Sequence, residues 1–286
     1  MLLAGFHRWR HRFKAEAWKR AGRVPGAMGY GSARWLAIEN AVSGAAAGRY
    51  GWDDAGIDER VVEYAWLFER MAALTAESKH VLDAGSVLNY PVVLDAWRRA
   101  AFPPVSIVTL AYEGYADLSD RVRYEFADLR QLPYRDEWFP VVFSLSTLEH
   151  VGLDNTIYGA AGDRARDASA EAVRALEQLQ RVTQRGGTLL LSVPYGTRSD
   201  RGWFRIFDAE DLDRLRNVSG WTNVRSRYFR ATRDGWRECT ADEAKSAGYN
   251  EPTNRPGKHT APPWVGGAEA VALVEMTRTQ ASQPRS

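Results

Sequence analysis

Between His80 and Val193 short apolar runs alternate with stretches of helical periodicity, and this alternation leaves few folds open. Strands are expected at 80–84, 105–111, 122–126, 141–146 ("VVFSLS") and 187–193 ("GTLLLSV"), with helices near 91–100 and 168–184. Pro91 suits the first turn of the helix that follows the opening strand. Strands separated by helices form a mostly parallel sheet covered on both faces. The spacing therefore predicts an α/β, doubly wound sheet. Two later runs, "NVRSRYFRA" (223–231) and "AEAVALVEM" (268–276), read as strands with no full helical crossover between them, which predicts an antiparallel pair at one sheet edge.

The flanks divide the chain further. From Asp58 to Thr75, Val61, Tyr64, Ala65, Phe68, Met71 and Ala72 recur at helical spacing and predict an amphipathic helix. Residues 22–51 are rich in Gly and Ala and read as loop plus short helix. Their "PGAMGYGSA" holds Gly26, Gly29 and Gly31, but no strand precedes it, so it makes a poor phosphate loop. Further on, "FDAEDLDRL" (207–215) opens a helix with acidic residues, and Thr240 with Glu243 forms a capping box. The expected organisation is an N-terminal basic and aromatic extension (1–57), a main domain (58–276) with an insertion at about 233–267, and a disordered tail (277–286).

Charge is unevenly placed. Residues 1–23 carry seven Lys/Arg against Glu16 alone, leaving the rest of the chain at about −4 within a total of +2, so no broad nucleic-acid surface is implied. Phe6, Trp9 and Phe13 stand at helical spacing among these cations. One reading is a helix in peripheral contact with a membrane surface or an anionic partner. The other, which the narrowness of the stripe favours, is a helix packed on the main domain with a solvated basic face. The single cysteine, Cys239, excludes a disulfide framework and a cysteine-cluster zinc site. No segment reaches membrane-span length and "LLAGF" is too short for a signal peptide, so a cytoplasmic location is the default.

The first strand runs into "HVLDAGSVLNYP" (80–91), which has an acidic residue and one glycine where a phosphate loop would carry several. Backbone N–H groups must approach a diphosphate closely, hence those glycines; a ligand without phosphates removes the need. Here the sequence resembles the class I S-adenosylmethionine-dependent methyltransferases. "VLDAGSVLN" is similar to their first motif, "YEFADLRQLPYRDEWFPVVFSLSTLEHV" (124–151) to their third-to-fourth-strand block, and "LEQLQRVTQRGGTLLLSVPYG" (176–196) to the helix, Gly-Gly turn and fifth strand. Together these cover about 78–276 in order. The resemblance implies a seven-stranded Rossmann-like methyltransferase sheet ending in an antiparallel pair. It places Gly85 under the cofactor's tail and Asp83 near its ammonium group, with Asp128 at the adenine, Leu129 backbone beside it and Ser146 at the end of the fourth strand. The alternative for Asp83 is a strand-end carboxylate that caps the turn.

This chain departs from the family pattern at two places. Ser86-Val87-Leu88-Asn89 replaces the glycine-rich turn, making Ser86 or Asn89 candidate contacts to the tail, and the acidic residue ending the second strand is missing from "IVTLA", leaving Glu113 as substitute for the ribose hydroxyls. Pro140, where the family often has aspartate, reads as structural.

Methyl transfer is an in-line displacement, so the protein supplies alignment and, for a hydroxyl acceptor, a base. "STLEHVGLDN" puts Glu149 and His150 beyond the fourth strand, with His150 as base or substrate contact and Glu149 orienting it. Glu149, His150 and Asp154 could instead hold Mg2+, although no recognised metal spacing is present. Tyr195, Arg201, Trp203, Phe204 and Arg205 cluster after the fifth strand and, with Asp154, make a candidate acceptor pocket suited to a polar ring. Similarity to methyltransferase-like proteins of bacterial glycan assembly implies O-methylation of a saccharide. A small natural product methylated at N or O, or a binding protein without activity, remains the alternative. A nicotinamide dehydrogenase is disfavoured because no G-x-G-x-x-G follows a strand. A homodimer is left open.

Overall fold

The computed structural model describes residues 2–46, 54–74, 80–160, 164–250 and 265–280. Three helices come first, α1 (Leu2–Arg20), α2 (Tyr30–Ala46) and α3 (Arg60–Leu74). Then follow β1 (Val81–Ala84), α4 (Pro91–Arg99), β2 (Val105–Thr109), β3 (Val122–Phe126), β4 (Phe139–Leu145), α5 (Ala168–Val182) and β5 (Thr183–Pro194). Short strands β6 (Ser199–Asp200) and β7 (Arg205–Ile206) precede α6 (Ala209–Arg216). The chain continues through β8 (Trp221–Thr232), β9 (Gly235–Cys239), α7 (Ala241–Ala244), β10 (Tyr249–Asn250), β11 (Gly267–Ala268) and β12 (Ala270–Arg278).

Eight strands form the main sheet in the order β3-β2-β1-β4-β5-β12-β8-β9. β3 to β5 are parallel neighbours, whereas β12 runs antiparallel between β5 and β8. This is the doubly wound sheet with an antiparallel end that the strand spacing predicts. It has one strand more than expected, because "GWREC" folds back on β8 as β9 instead of lying in a loop. Trp236 explains why: it is buried, and its indole Nε1 donates to Ile57 O at 2.9 Å.

Alternation along the central strands creates two cores. Val141, Phe143 and Leu145 of β4 face the side holding α1 to α4, while Val142 faces the side holding α5 and α6. Caps set the helix starts: Asp167 accepts from Ser169 N and Ala170 N, Asp208 from Asp211 N, and Thr240 with Glu243 forms the expected box. Pro140 coincides with a register shift between Phe139 and Val141 against β5, as its missing N–H requires.

Two expectations are corrected. Residues 22–51 hold more than a short helix, for α2 is 17 residues long and packs Ile38 and Val42 fully into the core. Ala-rich composition made this stretch look loop-like, although alanine is the best helix former. At the other end, Thr277 and Arg278 belong to β12 and Thr279 N donates to Gly220 O, so the expected disorder does not hold at 277–279. Residues 251–264 of the insertion and 281–286 lie outside the described residues. No helix among the described residues is long and apolar enough to cross a membrane.

Candidate functional site

A cleft of about 750 Å3 opens where the strand order reverses between β1 and β4. In open α/β sheets this carboxyl-end crevice is where ligands bind. The turn after β1 forms its floor. Gly85 N donates to Val108 O at 3.0 Å, and Gly85 sits at φ 134°. A Cβ there would lie 2.6 Å from Thr147 Cγ2 and 2.7 Å from Thr147 Cβ, so the chain after β4 can come this close only because Gly85 has no side chain. Ser86 holds the left-handed region at φ 65°, which is uncommon for a non-glycine residue. Ser86 lines the cleft, while its hydroxyl oxygen is buried and has no hydrogen-bond partner among the described residues.

Asp83 does not reach the cleft. It is fully buried, and its carboxylate accepts from Val87 N (3.2 Å) and Leu88 N (2.7 Å). Burial raises this carboxyl to about 7, against the two backbone hydrogen bonds that lower it. The capping alternative therefore replaces the expected ammonium contact, because the carboxylate lies fully buried under the turn, bonded to two amides, and does not line the cleft. Asn89 lines the cleft, but its side chain is also committed. Its amide donates to Gly114 O at 2.9 Å, and its oxygen accepts from Ala116 N and Tyr124 OH. It thereby shapes the loop carrying Glu113, whose Oε1 accepts from Thr109 at 3.0 Å. Glu113 lines the cleft beyond β2, where the missing strand-end acid would have been.

Beyond β3, Asp128 and Leu129 line the same cleft. Asp128 is held by Arg130, through both the backbone N–H (2.8 Å) and the guanidinium (2.6 Å). Its partial burial would raise the carboxyl, but the Arg130 hydrogen bonds prevail and lower it. At the end of β4, Ser146 takes φ 41° and donates to Glu63 Oε1 at 2.5 Å. Glu63, on α3, is completely buried, accepts also from Ser192, and pairs with Arg60 at 2.9 Å. Arg60 reaches Leu145 O as well. The buried Glu63 carboxylate, with the partly exposed Arg60, thus ties α3 to the ends of β4 and β5.

His150 stands at the other end of the cleft, in the short helix Leu148–His150. Trp203 O lies 2.8 Å from Nδ1 and can only accept, which puts the ring proton on Nδ1 and leaves Nε2 bare. Nε2 is 3.4 Å from Tyr158 OH and 3.9 Å from Glu149 Oε1. Burial depresses the imidazole to about 4, and burial pushes the Glu149 carboxyl well above its usual range. At neutral pH the imidazole is therefore uncharged, so the 3.9 Å contact is not an ion pair despite its geometry. Tyr158, raised to about 12 by burial, is a neutral phenol beside a bare nitrogen.

Of the residues expected from sequence, the fold brings Gly85, Ser86, Asn89, Glu113, Asp128, Leu129, Ser146 and His150 to one cleft. Glu149 lies behind that wall, almost completely buried. The expected acceptor residues do not line it. Tyr195 is in the core against Tyr228, at a ring distance of 4.9 Å. Arg201 is exposed, and its backbone turns back to Phe204 O. Arg205 is buried over Phe207 and donates to Ser169. Trp203 serves the site indirectly, stacked on His150 with ring centres 5.4 Å apart. The hairpin of β6 and β7 turns Phe204 and Arg205 inward, which their aromatic and basic types do not reveal. Asp154 is spent on Thr156, bonding its N–H and hydroxyl. Among the described residues no three His, Cys, Asp or Glu side chains are grouped to hold a metal ion, which removes the Mg2+ site expected at Glu149, His150 and Asp154.

Sequence reasoning missed Arg34, Arg60, Tyr64, Tyr90, Thr147 and Tyr158, all of which line the cleft. Arg34 of α2 pairs with Asp58 at 2.5 Å and lies over the Tyr90 ring, and Tyr64 OH anchors the turn through Val87 O at 2.6 Å. The helices before β1 thus form one wall and place two guanidinium groups on it. An arginine beside apolar helix positions carries no local mark of this role.

No protein-family model matches the chain. Among solved structures, a candidate methyltransferase from Bacillus halodurans C-125 is 15% identical, with 74% of this chain and 96% of that one covered at a TM-score of 0.44. The 1,6-didemethyltoxoflavin-N1-methyltransferase of Burkholderia thailandensis, solved with 1,6-didemethyltoxoflavin and S-adenosylhomocysteine, is 14% identical over 85% of this chain and 80% of that chain, TM-score 0.46. The [4+2]-cyclase SpnF is 17% identical over 86% and 94%, TM-score 0.47. At these identities nothing of their chemistry is transferred to this chain.

Proposed function

We propose that the protein is an S-adenosyl-L-methionine-dependent methyltransferase acting on a small-molecule hydroxyl or amine. The observation that carries this reading is the joining, in one 750 Å3 cleft at the sheet's switch point, of the Gly85–Ser86 turn, Glu113, Asp128–Leu129 and His150. The residues fit the cofactor: Gly85 presents no side chain at the floor of the cleft, and the buried Ser86 hydroxyl beside it has no partner among the described residues. Arg34 and Arg60 supply positive charge for the carboxylate of an amino-acid tail, Glu113 offers an acceptor for ribose hydroxyls, and Leu129 offers backbone beside the adenine. When bound, the cofactor supplies a methyl group already activated on a sulfonium centre.

What remains for the protein is orientation and the fate of one proton. Trp203 O fixes the His150 tautomer, so the bare Nε2 accepts a hydrogen bond from the attacking O–H or N–H. Held near 4, the imidazole is already neutral at physiological pH, but it holds a captured proton weakly. The Glu149 carboxyl, 3.9 Å away, would stabilise such an imidazolium when ionised. A sugar hydroxyl, among the least acidic acceptors, is served poorly by this base. The residues that suggested a sugar, Tyr195, Arg201, Trp203 and Arg205, are absent from the cleft lining. An amine or a phenol-like hydroxyl is the better match.

Calorimetry with S-adenosylhomocysteine tests the reading. Binding that weakens about tenfold or more in Glu113→Ala supports it, and no detectable binding by the wild-type chain refutes it in favour of a non-catalytic protein. His150→Ala then separates the acceptors: loss of about 10²–10⁴ in rate marks general-base catalysis on a hydroxyl, and a nearly unchanged rate marks an amine.

A further inference from the structure

Among its described side chains, helix α1 buries one face against the rest of the protein. His11, Ala15 and Trp18 follow one another at spacings of four and three and point inward. The His11 ring stacks on Trp35 at 4.6 Å, and Trp18 is 2% exposed with its Nε1 donating to Val24 O at 2.7 Å. Trp9 and Phe13, also four residues apart, therefore share the opposite side of the helix. They are 61% and 70% exposed, and their rings stack on each other at 6.3 Å. Large aromatic side chains held in water at such exposure are costly unless something covers them.

Charge identifies the covering. Arg10, Arg12, Lys14 and Arg20 are exposed beside these two rings, and none makes an ion pair among the described residues. Two other cations of the helix are answered, Arg8 by Glu39 at 3.0 Å and Lys19 by Glu16 at 3.4 Å. Exposed aromatics with unanswered cations on either flank match a surface that is apolar below and negative above, which is the interface of an anionic bilayer. From this we infer that α1 docks the protein on an anionic lipid surface. Trp9 and Phe13 enter the headgroup boundary, and Arg10, Arg12, Lys14 and Arg20 remain at the level of the lipid phosphates. The buried face of α1 stays on the protein throughout, so docking requires no unfolding. This inference does not depend on the proposed chemistry of the cleft.

The test is cosedimentation of the full chain with vesicles of phosphatidylcholine alone or mixed with phosphatidylglycerol. Binding is expected only to the mixed vesicles, and it should weaken as salt screens the cations. Trp9→Ala combined with Phe13→Ala should lower the partition about tenfold or more, and Arg10→Glu with Lys14→Glu should abolish it. Because all four side chains are exposed, far-UV circular dichroism and urea midpoints should be unchanged. No binding of the wild-type chain to mixed vesicles overturns the inference, as does equal binding by the ring-less variant. A wild-type dimer in light scattering that the ring substitutions dissociate also overturns it, since a second copy would then cover the face.

Discussion

Gly85→Ala is the substitution whose cost the structure specifies most fully. Two penalties add. The backbone at φ 134° is strained for any L side chain, at about 1–3 kcal/mol. The new Cβ would also meet Thr147 Cβ at 2.7 Å, well inside the roughly 3.5–4.0 Å at which carbon atoms attract. Rotating Thr147 about χ1 cannot relieve a clash with its own Cβ, so backbone must shift, adding about 1–3 kcal/mol for overpacking. The sum, about 2–6 kcal/mol, is a large part of a typical domain stability of about 5–15 kcal/mol. Urea titration should show a lower midpoint with an unchanged slope, and calorimetry should show loss of S-adenosylhomocysteine binding. Thr147→Gly in the Gly85→Ala background removes the clash but leaves the strain, so a double-mutant cycle should return a coupling of about 1–3 kcal/mol. Thr147→Ala, which keeps its Cβ, should return much less. A Gly85→Ala protein with the wild-type midpoint, or a cycle with no coupling, would refute the close approach of this turn to the segment after β4.

Three further outcomes are expected. Glu63→Ala should cost about 3–5 kcal/mol in urea unfolding, because it strands Arg60 and two buried hydroxyls, whereas Glu63→Gln should cost less. Asp83→Asn turns an amide group toward one of the two backbone N–H donors and should cost about 1–3 kcal/mol by the same measurement. His150 is held near 4 in the fold, below its ordinary value of about 6.5, so the unfolded chain binds its proton first as pH falls. Its contribution to stability is therefore intact above about pH 6.5 and lost on descent to about 4, by at most about 3 kcal/mol. Wild type should weaken more than His150→Gln between those limits, and parallel curves would contradict the depressed imidazole.

The architecture was legible because its signals are local and repeated. β1 and β2 are short apolar runs, β5 carries the leucine run of "TLLLSV", and Thr240 with Glu243 announces α7 through its capping box. Strand β9 and helix α2 escaped notice for the opposite reason. "GWREC" is too short to show its alternation, and α2 is hydrophobic nearly all round, with no polar face to mark its period.

The amino-acid order alone determined that strands and helices alternate, and that Gly85, Ser86, Glu113, Asp128, Leu129 and His150 fall just past strand ends. Any parallel sheet gathers strand ends on one side, so those residues had to share an edge. Which way each side chain turns was decided only by tertiary packing. Asp83 sits beside Gly85 in the chain, yet two amides under the turn hold it away from the cleft. Arg34 and Arg60 precede every strand, yet the packing of α2 and α3 carries them to the site. Burial and hydrogen-bond partners arise from residues far apart in sequence, so no local pattern could record them.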